Sequence, residues 1–439
     1  MLLNLRALSP RMAPWTLIVF TFVGFCARVI TDNWCLNYFQ RLGMRMSRSP
    51  KAIVEKQILR WARERAGFNR EVIARKIHVS PEAIEDWEEG RSYPSIAQLR
   101  KLAHSYMRPI GLFFLSEPPE DPENIKDFRR IPDTEAEFIS PALRFEMRLA
   151  WERRQEALEL MSDLDEEAMT ITPRFRIGDD PDEVAHQLRS ILDVSIRQQM
   201  KCRTKRDAFN AWRSALERKG VLVFQTGVLR NLIVDPKEAR GFSIAKQPYP
   251  VIVVNSKDHP TARCFTLIHE LTHVLMEESG LCDMQYPLRA VSDVERTEIF
   301  CNRVAGATLV PADSLLTTEV VKAHGRSPQW SDDELGMLAR MYWVSWEVIL
   351  RRLLILGRTS REYYQSWRAS RTDEYPGPED QKEPRISTPT RVFIRNGRLF
   401  PGIVLRAMAN KIITSFEASD MLGAGAHYLG KIEAALFKL

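Results

Sequence analysis

Apolar residues recur three and four positions apart through most of the chain, which is the pattern of packed helices. Between residues 53 and 106 the inward positions are Ile58 and Ala62, then Val72, Ile73 and Ile77, then Leu99, Leu102 and Ala103. They predict four or five short helices. The polar positions supply the ends. Gly67 stops the first helix and Asn69 caps the next. Ser80 followed by Pro81 starts a third that Gly90 ends, and Ser95 caps the last. Helix, short turn, helix at this spacing is the helix-turn-helix outline. Trp61 and Trp87 belong to its core rather than to a contact surface.

Further on, residues 141–161 predict a long charged amphipathic helix, and residues 180–219 another helical stretch capped by Asp180 with Pro181 behind it. The period then changes. "GVLVFQ" (220–225) and "YPVIVVN" (249–255) are β-branched runs bounded by turn residues and predict strands. A strongly apolar helix follows. Residues 330–364 are helical again, with Ser331 as N-cap, Leu335 and Leu338 inward and a turn near Trp343, a second helix-turn-helix outline that reads as packing for its neighbours.

The pattern divides the chain as follows: an apolar extension (1–45), a helix-turn-helix domain (46–115), a Pro-rich linker (116–140), a domain with a small sheet and an apolar helix (141–328), a helix-turn-helix-like unit (329–370), a polar linker (371–390) and a small helical unit (391–439). The expected fold class is α+β, mainly helical. The apolar run 15–27 is too short for a comfortable membrane span. With Met44 and Met46 just ahead of the first domain, residues 1–43 read as an upstream extension outside the translated protein, the rivals being a signal or an anchor.

Composition changes little. A net charge of +6 is too weak to indicate an anionic partner by itself. Six scattered cysteines with no CxxC pair point to free thiols in a reducing compartment, hence the cytoplasm, without stable membrane association.

The chemistry lies in "FTLIHELTHVLM" (265–276). Leu267, Ile268, Leu271, Val274 and Leu275 would make an ordinary buried stripe, into which His269, Glu270 and His273 do not fit unless something satisfies them. Histidines at i and i+4 project from one helix face and can share a zinc ion. Glu270 is then beside the metal rather than on it, placed to take a proton from an attacking water and hand it to a leaving amine. This is the H-E-x-x-H arrangement of zinc peptidases. A third ligand must come from elsewhere. "DVERTEIFCNRVAGATLVP" (293–311) offers Glu295 and Glu298, and Asn302 lies at i+4 from Glu298, where it can steady that carboxylate. Asp283 and Asp293 are weaker candidates. Tyr286 and Arg263 are the candidates for oxyanion stabilisation.

Taken together, "TLIHELTHVLM" and "EIFCNRVAGATLVP" resemble the ImmA/IrrE family of zinc metallopeptidases, in the architecture fused to an N-terminal Xre-type helix-turn-helix. The resemblance covers about residues 52–364. It implies one zinc per chain held by His269, His273 and Glu298, with Glu270 as general base. It also implies a protein substrate, a helix-turn-helix repressor whose cleavage releases a mobile element or stress regulon.

Whether the N-terminal module reads DNA is less plain. Its presumed recognition helix carries Glu82, Glu85, Asp86, Glu88 and Glu89 and no base, which phosphates repel. Arg70, Arg75, Lys76 and Arg91 flank it, while Ser80 and Glu82 stand at its start, where an acid can read cytosine. DNA is therefore one candidate partner. A like-folded repressor and a second copy of the chain, as a homodimer, are others. The rival to a peptidase is a DNA-binding regulator whose zinc domain is a sensor or scaffold without proteolysis.

Overall fold

The computed structural model describes residues 50–119, 139–227, 233–277, 280–282, 293–371 and 386–437. The 1–45 extension, most of both linkers, Asp283 and Tyr286 lie outside them. The protein is mainly helical with one small sheet. Among the described residues no helix is long and apolar enough to cross a membrane.

The N-terminal unit holds α1 (Lys56–Arg65), α2 (Arg70–Ile77), α3 (Pro81–Glu89), α4 (Ile96–Tyr106) and a 3-10 turn (Ile110–Phe114). Local chemistry sets the boundaries. Asn69 Oδ1 accepts from Val72 N at 2.8 Å, and Ser80 Oγ accepts from Ala83 N at 3.3 Å. Ser95 and Gln98 close a reciprocal capping box. Gly90 ends α3 at φ 78°, a conformation that favours glycine. Ile58, Ile73, Ile84, Leu99 and Trp87 form the core. One charged cluster is buried with them: Glu88 is 3 % exposed and accepts from Arg63 Nε at 2.6 Å and Arg70 Nε at 3.0 Å.

The second unit contains α5 (Pro141–Asp163), α6 (Pro181–Leu192), α7 (Ile196–Met200), α8 (Lys205–Glu217), β1 (Leu222–Gln225), β2 (Gly241–Ile244), β3 (Val251–Val254), α9 (Pro260–Leu275), β4 (Gly280–Cys282) and α10 (Asp293–Leu309). After these come α11 (Ala312–Leu316), α12 (Glu319–His324), α13 (Asp332–Tyr342), α14 (Trp346–Ile355), α15 (Arg361–Ala369), α16 (Thr388–Asn396), α17 (Leu399–Ala409), α18 (Ser415–Leu422) and α19 (Leu429–Leu436). The strand order is β1-β3-β2-β4. β1 runs parallel to β3, with Leu222 opposite Val251, while β2 is antiparallel to both β3 and β4.

Both faces of this sheet are covered, which is why β1 and β3 are continuous apolar runs rather than alternating ones. Val223, Ile252 and Val254 face a core built with Leu267, Ile268 and Leu271 of α9, Phe300 and Val304 of α10, and Leu335, Leu338, Ile349 and Leu353 of α13 and α14. Leu222, Phe224, Phe242, Ile244, Val251 and Val253 face a second core built with α5 and with Phe400, Ile403, Val404 and Ile432 of the C-terminal helices. Residues 391–437, set apart by the sequence pattern as a small unit, thus share with α5 the cover of the second face of the sheet.

Buried arginines tie the layers together. Arg154 of α5 donates to the carbonyls of Tyr249, Lys246 and Pro248, holding the loop between β2 and β3. Arg213 of α8 donates to the carbonyls of Val223, Phe393 and Ile394. Cys264 and Cys301 are buried, and burial pushes the Cys264 thiol up to about 12.

Candidate metal centre

Two helices, α9 and α10, build the site. α9 begins at Pro260, with the His259 side chain accepting from Thr261 N, and buries nearly every residue from Cys264 to Leu275. α10 lies against it, and Glu298 comes from its second turn. The far end of α10 is pinned by side chains from three other helices. Arg189 donates to Thr308 O at 2.6 Å, Gln199 to Leu309 O at 2.9 Å and Arg352 to Val310 O at 2.9 Å. These carbonyls end α10 without intrahelical partners, so the donors fix both its position and its rotation.

His269 Nε2 and His273 Nε2 are 3.1 Å apart. Glu298 Oε2 is 3.1 Å from the first and Oε1 3.1 Å from the second. All three residues are buried, and among the described residues they are the group whose donor atoms could hold a metal ion. Bonds of about 2.0–2.1 Å at tetrahedral angles set donor atoms about 3.4 Å apart, close to what is found. Without a cation the arrangement is poor. A carboxylate only accepts, so both rings would have to present N–H toward Glu298, and those two donors would then face one another. One cation at their common focus removes the conflict, so the donor set fits a zinc ion. Burial pushes the Glu298 carboxyl up, but the charges and hydrogen bonds of His269 and His273 outweigh it and draw it down to about 2. That carboxylate is therefore ionised, as a ligand must be.

Glu270 is wholly buried on α9 between the two histidines. β2 comes very close to it. A Cβ on Gly241 would lie 2.5 Å from Thr266 Cγ2, 2.9 Å from Val253 O and 3.6 Å from Glu270 Cγ. Only glycine lets the strand approach the metal helix this closely. Neither Gly241 nor the donors Arg189, Gln199 and Arg352 stand out in the sequence. Nothing in periodicity marks a glycine in "GFSI" or an arginine that reaches a distant carbonyl.

Other sequence candidates are distributed differently. Asn302 is buried one turn after Glu298, but its Oδ1 accepts no hydrogen bond among the described residues, and no bond joins it to Glu298. Glu295 is outside the cluster. Arg263 is bound to Asp258 O at 2.8 Å and Gln225 Oε1 at 3.2 Å, six residues before His269 and so about 9 Å along the helix. In the N-terminal unit, Arg75 and Lys76 are exposed on the last turn of α2. Arg70 pairs with Glu85 at 2.8 Å and with Glu88, and Arg91 pairs with Asp86 at 2.6 Å and with Glu89. The acids of α3 are thus largely neutralised from within. Ser80 is occupied as an N-cap, and Glu82 is exposed, its carboxyl held below the usual range by its own backbone N–H and by Ser80.

Residues 216–354 match the family of the IrrE N-terminal-like domain, which spans β1 through α14 and includes the whole His-His-Glu cluster. Residues 59–110 match a helix-turn-helix family. No curated protein matches the chain. The two matches fall in the order helix-turn-helix of the Xre type, then IrrE N-terminal-like, so the chain is similar in its N-terminal part to the first family and in its middle to the second, which is metallopeptidase-like.

Proposed function

We propose that the protein is a zinc-dependent endopeptidase, with one zinc per chain, that cuts a helix-turn-helix repressor in the cytoplasm and so relieves repression. The observation that carries this reading is the convergence of His269 Nε2, His273 Nε2 and the Glu298 carboxylate, each 3.1 Å from the next, around a helix that also buries Glu270. His269, His273 and Glu298 would hold the zinc, which when bound would act as a Lewis acid toward the scissile carbonyl and the attacking water. Glu270 takes a proton from the attacking water and returns it to the departing amine, so that no free amide anion forms. Burial in a dry site strengthens both effects. Asn302 is a candidate to orient Glu298, to which no hydrogen bond now joins it.

The helix-turn-helix domain then serves to bring the peptidase to its target. Because α3 turns its acids onto Arg70 and Arg91, its surface is suited to a like-folded repressor or a second copy of this chain. Contact with DNA falls to Arg75 and Lys76. The test is expression of wild type and Glu270→Gln in cells, with quantitative proteomics. A repressor shortened or lost only with the wild type supports the peptidase. An unchanged proteome, with zinc bound and a specific operator recognised, supports a regulator whose zinc domain is a sensor.

A further inference from the structure

Beside the metal helix lies a groove of about 1150 Å³, bounded by the first turns of α9, the turn between α13 and α14, and the end of α15. Phe265 lines it, and the Phe265 ring stacks on that of His269 with centroids 6.3 Å apart. Thr261, Phe265 and His269 recur four apart, so the groove follows the face of α9 that His269 continues. What fills the groove therefore lies next to the metal centre.

Its walls carry Lys205, Arg240, Arg340, Arg351, Arg368 and Arg371 against a single carboxylate, Glu347. Several of these cations have acidic partners. Arg351 and Arg368 approach Glu347 at 3.2 and 3.8 Å, and Arg371 approaches Asp332 at 2.5 Å. Lys205 and Arg340 do not. Among the described residues the Lys205 ammonium meets His259 Nε2 at 3.2 Å, and Arg340 Nε meets a carbonyl of its own helix, Gly336 O, at 3.4 Å. Two tryptophans on the wall add a second signal. The indole N–H groups of Trp343 and Trp367 are buried and have no acceptor among the described residues. A buried donor without an acceptor is unfavourable and calls for an oxygen from elsewhere.

We propose that this groove holds an acidic segment of the polypeptide substrate, with Lys205 and Arg340 pairing its carboxylates and the indoles of Trp343 and Trp367 donating to its oxygens. The assignment rests on the reading of the adjacent centre as a peptidase, and it names the feature of the substrate that the peptidase selects. Single-stranded nucleic acid is the less suitable polyanion. It binds by stacking bases on open aromatic faces, and Arg371 already stands 4.9 Å from the ring centroids of both Trp346 and Trp367.

The experiment uses the full zinc-loaded chain carrying Glu270→Gln, so that binding is read without cleavage. Tryptophan fluorescence is followed during titration with a peptide of ten glutamates, a peptide of ten glutamines, and a ten-nucleotide oligothymidylate, at one physiological salt concentration. The glutamate peptide should bind at least about tenfold more tightly than the glutamine peptide. Adding Lys205→Glu and Arg340→Glu, both at exposed positions, should remove about tenfold of that affinity without lowering the melting temperature. Trp343→Phe, which removes the N–H together with the five-membered ring, should weaken binding a few-fold. Equal affinity for the glutamine peptide, indifference to the charge reversals, or tighter binding of the oligothymidylate would overturn the proposal. If the wild type cleaves nothing while the glutamate peptide still binds as described, the peptidase reading fails and the binding assignment stands.

Discussion

Arg213→Met should loosen the C-terminal helices from the sheet. Arg213 is 4 % exposed. Its guanidinium donates to Phe393 O at 2.9 Å and Ile394 O at 2.8 Å, carbonyls in the last turn of α16, and to Val223 O in β1. Its Nε lies 3.7 Å from Glu217, which is 6 % exposed and accepts from Arg398 N at 2.9 Å at the start of α17. One ion pair on α8 thus satisfies the end of one C-terminal helix and the beginning of the next. Methionine keeps the stem but strands the carbonyls of Val223 and Ile394, Phe393 O keeping Gly397 N, and leaves a buried carboxylate without its cation. Removing one partner of a buried pair costs about 3–5 kcal/mol. The two carbonyls would add to this if nothing relaxed, so about 4 kcal/mol is a conservative figure. For a unit of this size that lowers the melting temperature by roughly 10 °C. The sign with pH follows from Glu217. Burial raises its carboxyl, against the opposing pull of Arg213. A raised acid favours the folded state at low pH and loses that contribution as pH rises through the folded value. With Arg213 gone the carboxyl rises further, so the deficit of the variant should widen from pH 5 to pH 8. Urea and thermal unfolding followed by circular dichroism, at both pH values, measure it. Adding Glu217→Gln removes the stranded charge and keeps an acceptor for Arg398 N, so the double variant should recover about half the loss. A single variant that loses under about 1 kcal/mol, or a double variant no more stable than the single, would refute the reasoning.

Four further expectations rest on the same structure. Burial lifts the Glu156 carboxyl to about 7 despite the nearby Arg153, so its ionisation destabilises the fold as pH rises from the ordinary carboxylate range through neutrality. Glu156→Gln should therefore stabilise by about 1–2 kcal/mol at pH 8, allowing for partial exposure, and by little at pH 5, as read by urea titration. Gly241→Ala would press a methyl on Thr266 Cγ2 and Val253 O beside Glu270. It should cost about 1–3 kcal/mol and reduce peptide cleavage, with partial recovery on adding Thr266→Ser, measured by melting and by a cleavage assay. Chelation by EDTA should lower the melting temperature of the wild type. Glu298→Gln should lower zinc below one per chain, because it leaves His269 and His273 without a charged third donor.

How much of this was legible in the sequence depended on distance along the chain. Helix ends set by a neighbour within three residues, at Asn69, Ser80, Asp180 and Ser331, read correctly because the capping bond is local. The strands β1 and β3 and most of the helices were also plain. β2 was not foreseen, since "GFSI" has a glycine and a serine and becomes a strand only by pairing with β3. Nor did the pattern reveal that the helices after Ser387 join α5 on the second face of the sheet, because an amphipathic stripe does not name its partner. Charge was misleading for the same reason. Glu88 reads as one more repulsive acid on α3, yet it is buried against Arg63 and Arg70, and Arg91 is spent on the acids of its own domain. His269, Glu270 and His273 announced themselves by i, i+4 spacing within an apolar stripe. The residues alone left Glu295 beside Glu298; the family resemblance singled out Glu298, and the contact of α9 with α10 brings that carboxylate to the histidines.

The central claim is that three converging side chains hold zinc and that a fourth moves the proton. The most direct measurement compares purified wild type with Glu270→Gln for zinc content and for cleavage of the repressor lost in cells that express the wild type. One zinc per chain in both proteins, with cleavage by the wild type alone, is the predicted result. Cleavage surviving in Glu270→Gln, or a repressor left intact by a wild type fully loaded with zinc, would contradict the account.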